Sequence, residues 1–139
     1  MATAKVSETV AAPVDDVWRT ASNFGGIEPN DMIAGCTVEG EGVGAVRTVT
    51  LVAGGEIIER LEALDNAARS YTYAIINDSP IPVKNYVSTV TVSAEGENAA
   101  RIDWSGEFDA NGVEDEKVIA LIEGVYRSGI QRTRNKLGV

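Results

Sequence analysis

Arg47 and Glu59 are the residues whose types and spacing point most directly to chemistry in this chain. They lie in two neighbouring segments that alternate apolar and polar residues, as half-buried strands do. If residues 53–55 form a three-residue hairpin loop, Val49 faces Glu59, and Arg47 becomes a diagonal neighbour of Glu59 on the same face. A long arginine side chain can span that separation, so the sequence predicts that the two charges meet.

The face that Arg47 and Glu59 share is otherwise apolar. Its remaining members are Val49, Leu51, Ile57 and Leu61. Two opposite charges in an apolar surface must pair, because an unpaired buried charge is strongly destabilising. Two interpretations stay open. The pair either fixes the strand register, or it lies in a cavity wall where Arg47 binds a carboxylate or polarises a carbonyl and Glu59 moves protons.

Several classes of catalytic site are excluded by composition. Histidine is absent and Cys36 is the only cysteine, so no Ser-His-Asp or Cys-His arrangement, intrachain disulfide or thiolate zinc cluster can form. Acid–base chemistry would depend on carboxylates, tyrosines, lysines, arginines or water. No acidic spacing resembles a calcium loop. We therefore expect neither a cofactor nor a metal.

The charge balance disfavours two kinds of partner. The chain carries 21 acidic and 12 basic residues, for a formal net charge of −9, which repels nucleic-acid phosphates and anionic lipid headgroups. No segment approaches the roughly 20 apolar residues that a membrane-spanning helix needs. The first residues lack the apolar block of a secretory signal, so we expect a cytoplasmic protein. The sequence predicts no particular oligomeric state.

The elements that must position these side chains follow from the apolar pattern. A strand at residues 4–10 precedes a helix that begins near Pro13 and carries Asp15 and Asp16 in its first turn. Short strands separated by glycine-rich and polar turns come next, which is typical of an antiparallel meander. These strands are predicted from residue 36 onward and at residues 45–52, 56–64, 70–76, 83–94 and 100–110.

The last segment has a different, helical period. Apolar residues recur with 3.6-residue spacing at Val118, Ile119, Leu121, Ile122, Val125, Tyr126, Ile130 and Leu137. A helix over residues 114–137 would be about 36 Å long and must cover the concave face of the sheet. The sequence thus predicts a single α+β domain over residues 1–139.

Several short segments, in this order, resemble the START-like, or Bet v 1-like, superfamily and its polyketide cyclase/dehydrase-type branch. They are Gly-Ala-Val-Arg at 44–47, Glu-Arg-Leu-Glu at 59–62, Ser-Tyr-Thr-Tyr at 70–73, Asn-Tyr-Val-Ser-Thr-Val at 85–90, and Trp104. The resemblance implies a helix-grip fold, in which a seven-stranded curved antiparallel sheet surrounds a long C-terminal helix and one or two short helices follow the first strand. In the abscisic acid receptors and lachrymatory-factor synthase of this branch, the residues matching Arg47 and Glu59 face the cavity, and in the synthase they are catalytic.

Tyr86 is the third candidate for chemistry. It shares a strand face with Ser88, and the resemblance implies that it points into the cavity, where its hydroxyl would orient a ligand or donate a proton. The alternative is a core aromatic residue with a satisfied hydroxyl. Further cavity lining is expected from the inward faces of later strands and the last helix, at Tyr73, Ile75, Ile102, Trp104, Phe108, Leu121, Val125 and Gly129.

These expectations lead to a protein that binds a small apolar or aromatic molecule carrying a carbonyl or carboxylate. One version is an enzyme of cyclase, dehydratase or isomerase type, in which Arg47 stabilises an oxyanion, Glu59 is the general acid/base and Tyr86 orients the substrate. A second version is a non-catalytic carrier or sensor with the same cavity. A third is a protein-binding or chaperone-like domain that uses the outer sheet face around Ile58.

Overall fold

Seven strands form one curved antiparallel sheet, and two helices lie against it. The computed structural model describes residues 1–139. In chain order the elements are β1 (Ala2–Val10), α1 (Val14–Ala21), β2 (Ile33–Glu39), β3 (Val46–Leu51), β4 (Glu56–Asp65), β5 (Ser70–Ile75), β6 (Val83–Ala94), β7 (Ala100–Ala110) and α2 (Asp115–Leu137). This is the predicted α+β helix-grip fold, so the fold expectation is confirmed.

The strands lie in the order β1-β7-β6-β5-β4-β3-β2. Strands β2 to β7 form a meander in which each strand pairs with the next along the chain. The first strand instead crosses to the far edge and pairs with β7, so that Ala2 lies opposite Phe108 and Val10 opposite Ala100. The sheet therefore brings the two ends of the sequence together, and α2 packs over this edge against β1 and β7.

The register of β3 and β4 differs from the prediction. Arg47 lies directly opposite Glu59 instead of diagonal to it, and Val49 lies opposite Ile57. The reason is the position of the turn: Leu51 N donates to the carbonyl of Gly55 at 3.0 Å, so residues 52–54 form the three-residue loop in place of residues 53–55. Gly54 and Gly55 have φ values of 104° and 89°, a conformation that glycine adopts without strain.

Helix α1 begins where the sequence predicted and is the only helix between β1 and β2. Pro13 precedes it with φ −57° and ψ 146°, and Asp15 and Asp16 occupy the first turn near the positive end of the helix dipole. Residues 22–32 form turns and irregular backbone. One short helix thus follows the first strand, where one or two were expected.

Helix α2 covers 23 residues and ends at Gly138, whose φ of 71° places it in the left-handed conformation that commonly stops helices. Its fully packed face consists of Val118, Ile122, Tyr126, Gly129, Ile130 and Thr133. Neither helix of the protein has the length and apolar character required to cross a membrane. The buried face of α2 joins the inward side chains of the sheet in one hydrophobic core.

Candidate functional site

A cavity of about 500 Å³ separates α2 from the part of the sheet formed by β3, β4 and β5. Helix α2 packs closely on β1 and β7 but not on β3, β4 or β5, so a space remains between α2 and these three strands. Met32, Leu121 and Val125 line this space and are 70%, 45% and 41% exposed, so the cavity opens to solvent beside α2. Its walls are mainly apolar, since 15 of the 21 lining residues are hydrophobic.

Arg47 and Glu59 form a buried ion pair in the wall of this cavity. Nε of Arg47 donates to Oε1 of Glu59 at 2.7 Å, and the two side chains are 7% and 10% exposed. Burial on its own would lower the pKa of Arg47, but the adjacent Glu59 carboxylate raises it above its ordinary value. The guanidinium group therefore stays charged and remains paired.

The guanidinium group of Arg47 is also held from the other side. Nη1 donates to the main-chain carbonyl of Phe24 at 3.0 Å. The ring of Phe24 lies 4.2 Å from the guanidinium carbon, and the ring of Tyr73 lies 5.1 Å from it, so both rings make cation–π contacts. Two of the five N–H donors of Arg47 are thus used within the protein, and these bonds and ring contacts fix the position of the guanidinium group.

Glu59 has one carboxylate oxygen to which no protein group hydrogen bonds. Oε1 accepts the bond from Arg47, whereas Oε2 has no protein partner. No buried side-chain oxygen or nitrogen in the protein lacks a hydrogen-bond partner, so Oε2 must be reachable from the cavity that Glu59 lines. A ligand in the cavity could therefore exchange a proton with this oxygen or hydrogen bond to it.

A hydrogen-bonded cluster of aromatic residues forms the inner end of the cavity. The hydroxyl of Tyr86 lies 3.4 Å from that of Tyr73 and 2.5 Å from that of Tyr126. Nε1 of Trp104 donates to the Tyr73 hydroxyl at 3.2 Å and to Oγ of Ser88 at 2.9 Å. Trp104 also stacks on Tyr126 with ring centroids 4.7 Å apart. These contacts fix the rings, as a preformed binding surface requires.

Burial keeps the tyrosines of this cluster protonated. It raises the pKa of Tyr73 and Tyr86 well above the ordinary value, and nearby tyrosines and, for Tyr73, Glu59 act in the same direction. The pKa of Tyr126 is raised by burial to about 12. At neutral pH these hydroxyls can donate or accept hydrogen bonds, but they are not bases.

Arg132 is a further charged residue of the lining that sequence reasoning did not select. It is half-buried on α2 and lines both the main cavity and a second, smaller cavity of about 50 Å³ between α1, α2 and the sheet. Burial and the nearby positive charge of Arg47 both lower the pKa of Arg132. On the sequence, Arg132 falls among polar residues near the end of a helix, a pattern that usually marks a solvated face.

Most of the predicted site residues come together around the main cavity. Arg47, Glu59 and Tyr86 all line it. So do eight of the predicted lining residues, namely Val49, Leu51, Ile57, Tyr73, Ile75, Trp104, Leu121 and Val125. The convergence of the residues on β3, β4 and β5 reflects strand alternation, which turns every second side chain to the inner face of the sheet.

Five predicted lining residues lie elsewhere. Leu61 and Phe108 are buried in the core, where Phe108 stacks on Tyr86 with ring centroids 5.9 Å apart. Ser88 lies behind Trp104 and donates to the carbonyl of Ser105 at 3.0 Å. Ile102 and Gly129 line only the smaller cavity. Each shares an inward face with residues that line the main cavity but does not itself line that cavity.

The remaining lining residues come from regions that strand alternation does not reveal. The loop before β2 contributes Ile27, Asn30 and Met32, and β2 contributes Ile33 at its first position. Ile81 comes from the loop before β6. Helix α2 adds Ala120, Ile122, Gly124 and Ser128. The period of α2 could have indicated its small residues, because Ala120, Gly124 and Ser128 repeat every four positions beside Leu121 and Val125.

Cys36 is half-buried, and its thiol is the only one in the chain. It lies opposite Val49 on β2, and burial raises its pKa above the ordinary value, although Arg47 acts in the opposite direction. A thiol with a raised pKa is a weak nucleophile at neutral pH. No group of three or more acidic or cysteine side chains is arranged to hold a metal ion.

Known proteins are similar to this chain over most of its length. MLP-like protein 423 from Arabidopsis thaliana is 28% identical over 130 residues, which cover 82% of this chain and 81% of that protein. The structure of the protein XoxI from Bacillus cereus is 32% identical, covers 98% of this chain and 95% of its own, and superposes with a TM-score of 0.85.

The structure of norcoclaurine synthase from Thalictrum flavum, in complex with dopamine and hydroxybenzaldehyde, has a TM-score of 0.72. It is 21% identical and covers 97% of this chain and 84% of its own, a likeness that shows the shared fold. Residues 1–138 match the family described as polyketide cyclase/dehydrase and lipid transport. The chain therefore belongs to the polyketide cyclase/dehydrase and lipid transport family, within the Bet v 1-like superfamily.

Proposed function

We propose that this protein binds one small, largely apolar molecule in the cavity between α2 and strands β3 to β5. The observation that carries the proposal is the cavity itself, with a volume of about 500 Å³ and 15 hydrophobic residues among the 21 that line it. Ligand sites of small molecules commonly have volumes between about 300 and 1,000 Å³ and combine apolar walls with a few fixed polar groups. The polar groups here include Arg47, Glu59, Arg132 and the hydroxyls of Tyr73 and Tyr86.

The rigid aromatic end of the cavity supports the same proposal. Trp104 and Tyr126 are stacked, and the hydroxyl of Tyr86 is bonded on both sides, so little side-chain ordering is needed when a ligand enters. Family membership is consistent with a small-molecule ligand, since the family is described by cyclase, dehydrase and lipid transport functions. Norcoclaurine synthase, which shares the fold, is in complex with two aromatic molecules.

A filled cavity gives the sharpest test. Gly124 lines the cavity, and a Cβ atom there would contact nothing within 4 Å, so Gly124→Phe can occupy the space without displacing backbone. We expect 1-anilinonaphthalene-8-sulfonate to bind the wild-type protein and Gly124→Ala, and to bind Gly124→Phe at least about tenfold more weakly, a loss of about 1.4 kcal/mol. Equal dye binding by the wild type and Gly124→Phe would contradict the proposal.

A second candidate function, acid–base catalysis on the bound molecule, is favoured by Oε2 of Glu59. This oxygen faces the cavity without a protein partner, while Arg47 holds the other carboxylate oxygen in place. Protonated Tyr86 lies in the same cavity and can orient a carbonyl or hydroxyl group of the substrate. These groups fit a cyclisation, dehydration or isomerisation that needs proton transfer alone.

The variant Glu59→Gln tests whether the protein is an enzyme or a non-catalytic carrier or sensor. Glutamine keeps an oxygen that can accept the bond from Nε of Arg47, but it cannot transfer a proton. We expect native mass spectrometry to find substrate retained by purified Glu59→Gln and product, lighter by one water for a dehydration, in the wild type. The control is Glu62→Gln, on the exposed side of β4. Identical molecules in wild type and Glu59→Gln, unchanged on incubation with either protein, would favour the carrier.

A further inference from the structure

Arg132 differs from nearly every other arginine of the protein because no carboxylate neutralises it. Arg19, Arg47, Arg60, Arg69, Arg101 and Arg134 each have a carboxylate oxygen within 4 Å. The two exceptions are Arg127, which is exposed to water, and Arg132, which is half-buried in the cavity wall. In a chain with 21 acidic residues, a half-buried arginine in a cavity wall without a carboxylate partner is unusual, because partial burial of a charge is unfavourable.

The charges of the cavity wall do not balance. Arg47, Glu59 and Arg132 are its only charged lining residues, so their formal charges sum to +1. Glu59 forms its ion pair with Arg47, with Oε1 of Glu59 2.7 Å from Nε of Arg47. The positive charge of Arg47 also lowers the pKa of Arg132, because it disfavours a second positive charge nearby. A monoanion placed next to Arg132 would neutralise the wall and relieve this repulsion.

The position of Arg132 on α2 suits one end of an elongated ligand. Ala120, Gly124, Ser128 and Arg132 follow one another at four-residue intervals, so they form one row along the helix. All four line the cavity, and the first three have small side chains that leave space for a ligand. Arg132 is the last residue of this row, and it lines both the main cavity and the smaller one.

We propose that Arg132 binds the carboxylate of an otherwise apolar ligand, whose hydrocarbon part lies along the row of small residues on α2. This inference rests on the proposed binding function and narrows its ligand class to apolar monocarboxylates. The planar guanidinium group can donate two parallel hydrogen bonds to a carboxylate. Arg47, which the sequence favoured for this role, is already bonded to Glu59 and to the carbonyl of Phe24.

Decanoate and decan-1-ol form a suitable pair of probes, because they share an apolar chain and differ in the anionic group. Binding can be measured by isothermal titration calorimetry and by tryptophan fluorescence, because Trp104, one of the two tryptophans, lines the cavity. We expect the wild type to bind decanoate more tightly than decan-1-ol. Arg132→Gln should weaken decanoate binding about 10- to 100-fold, as expected for hydrogen bonds to a charged group, and leave decan-1-ol binding unchanged.

Arg127→Gln, on the exposed side of the same helix, is the matched control and should bind both probes as the wild type does. Arg132→Lys should restore part of the preference for decanoate. Since Arg132 makes no ion pair, its replacement should not lower the unfolding temperature. Equal affinity of the wild type for both probes, or unchanged decanoate binding by Arg132→Gln, would overturn the role of Arg132 alone. Failure of the wild type to bind either probe would overturn the proposed binding function as well.

Discussion

The indole ring of Trp104 fills the space that a side chain at position 129 would occupy. A Cβ atom on Gly129 would stand 2.6 Å from Cη2 of Trp104, which is much shorter than a carbon–carbon contact. The ring cannot move aside easily, because it stacks on Tyr126 and its Nε1 is bonded to Tyr73 and Ser88. Gly129 is therefore required by the packing of Trp104 and does not enlarge the main cavity.

This contact predicts opposite effects for two glycines of α2. Gly124→Ala should raise the free energy of unfolding by about 1 kcal/mol, because alanine favours a helix and the added methyl group meets nothing. Gly129→Ala should lower it by about 1–3 kcal/mol, since the clash with Trp104 outweighs the same helix preference. Urea unfolding of both variants measures the difference, and equal shifts in the two proteins would contradict the packing described here.

The buried Arg47–Glu59 pair should be strongly coupled. Glu59→Leu alone or Arg47→Met alone should cost about 3–5 kcal/mol, because each leaves a buried charge without a partner, whereas the double variant should lose far less than the sum. The exposed pair Arg60–Glu62, with side chains 47% and 36% exposed, is the control and should show a coupling of about 0–1 kcal/mol. Additive losses for Arg47 and Glu59 in urea unfolding would refute the coupling.

The tyrosines predict a loss of stability in alkali. Burial raises the pKa of all four, Tyr71, Tyr73, Tyr86 and Tyr126, the last to about 12. The unfolded chain releases these protons near pH 10, while the folded protein keeps them, so the free energy of unfolding should fall as the pH rises above about 10. Tyrosinate absorbance should then appear together with unfolding. Ionisation of the tyrosines near pH 10 with the fold intact would be the opposite result.

Cys36 should react slowly with a disulfide reagent in the folded protein. Because burial raises its pKa, the thiolate fraction at neutral pH is below that of a free cysteine, and the thiolate is the reacting species. The rate should rise with pH toward a midpoint above that of a cysteine peptide measured under the same conditions. Protein unfolded in urea should react like the peptide. A folded-state midpoint at or below the peptide value would contradict the raised pKa.

The fold was predictable from the sequence because its two periodicities are distinct. Alternation with a period of two marks β3 to β7, and the apolar stripe of residues 118–137 marks α2. The pairing of Arg47 with Glu59 was also predicted, but in the wrong register. The position of the turn before Gly55 decides that register, and the sequence does not fix which three residues of this run form the loop.

The sequence did not show which inward-facing residues line the cavity and which lie in the core. Strand alternation places a residue on the inward face, but it does not distinguish Leu61 and Phe108, which are covered in the core, from Val49, which lines the cavity. That distinction depends on which side chains of other elements cover each position in the folded protein. Arg132 was missed for a similar reason, since only its half-buried position in the cavity wall separates it from a solvated arginine such as Arg127.

The crossing of β1 to the far edge of the sheet has a consequence for how the molecule assembles. Ala2 pairs with Phe108, so most of the chain lies between the two paired residues. A hydrogen bond from Arg134 to the carbonyl of Thr9 also holds α2 to β1. Pairings between residues so far apart in sequence form late and slowly. During synthesis on the ribosome, β1 would therefore remain unpaired until β7 emerged. In that time its backbone could pair with other nascent chains.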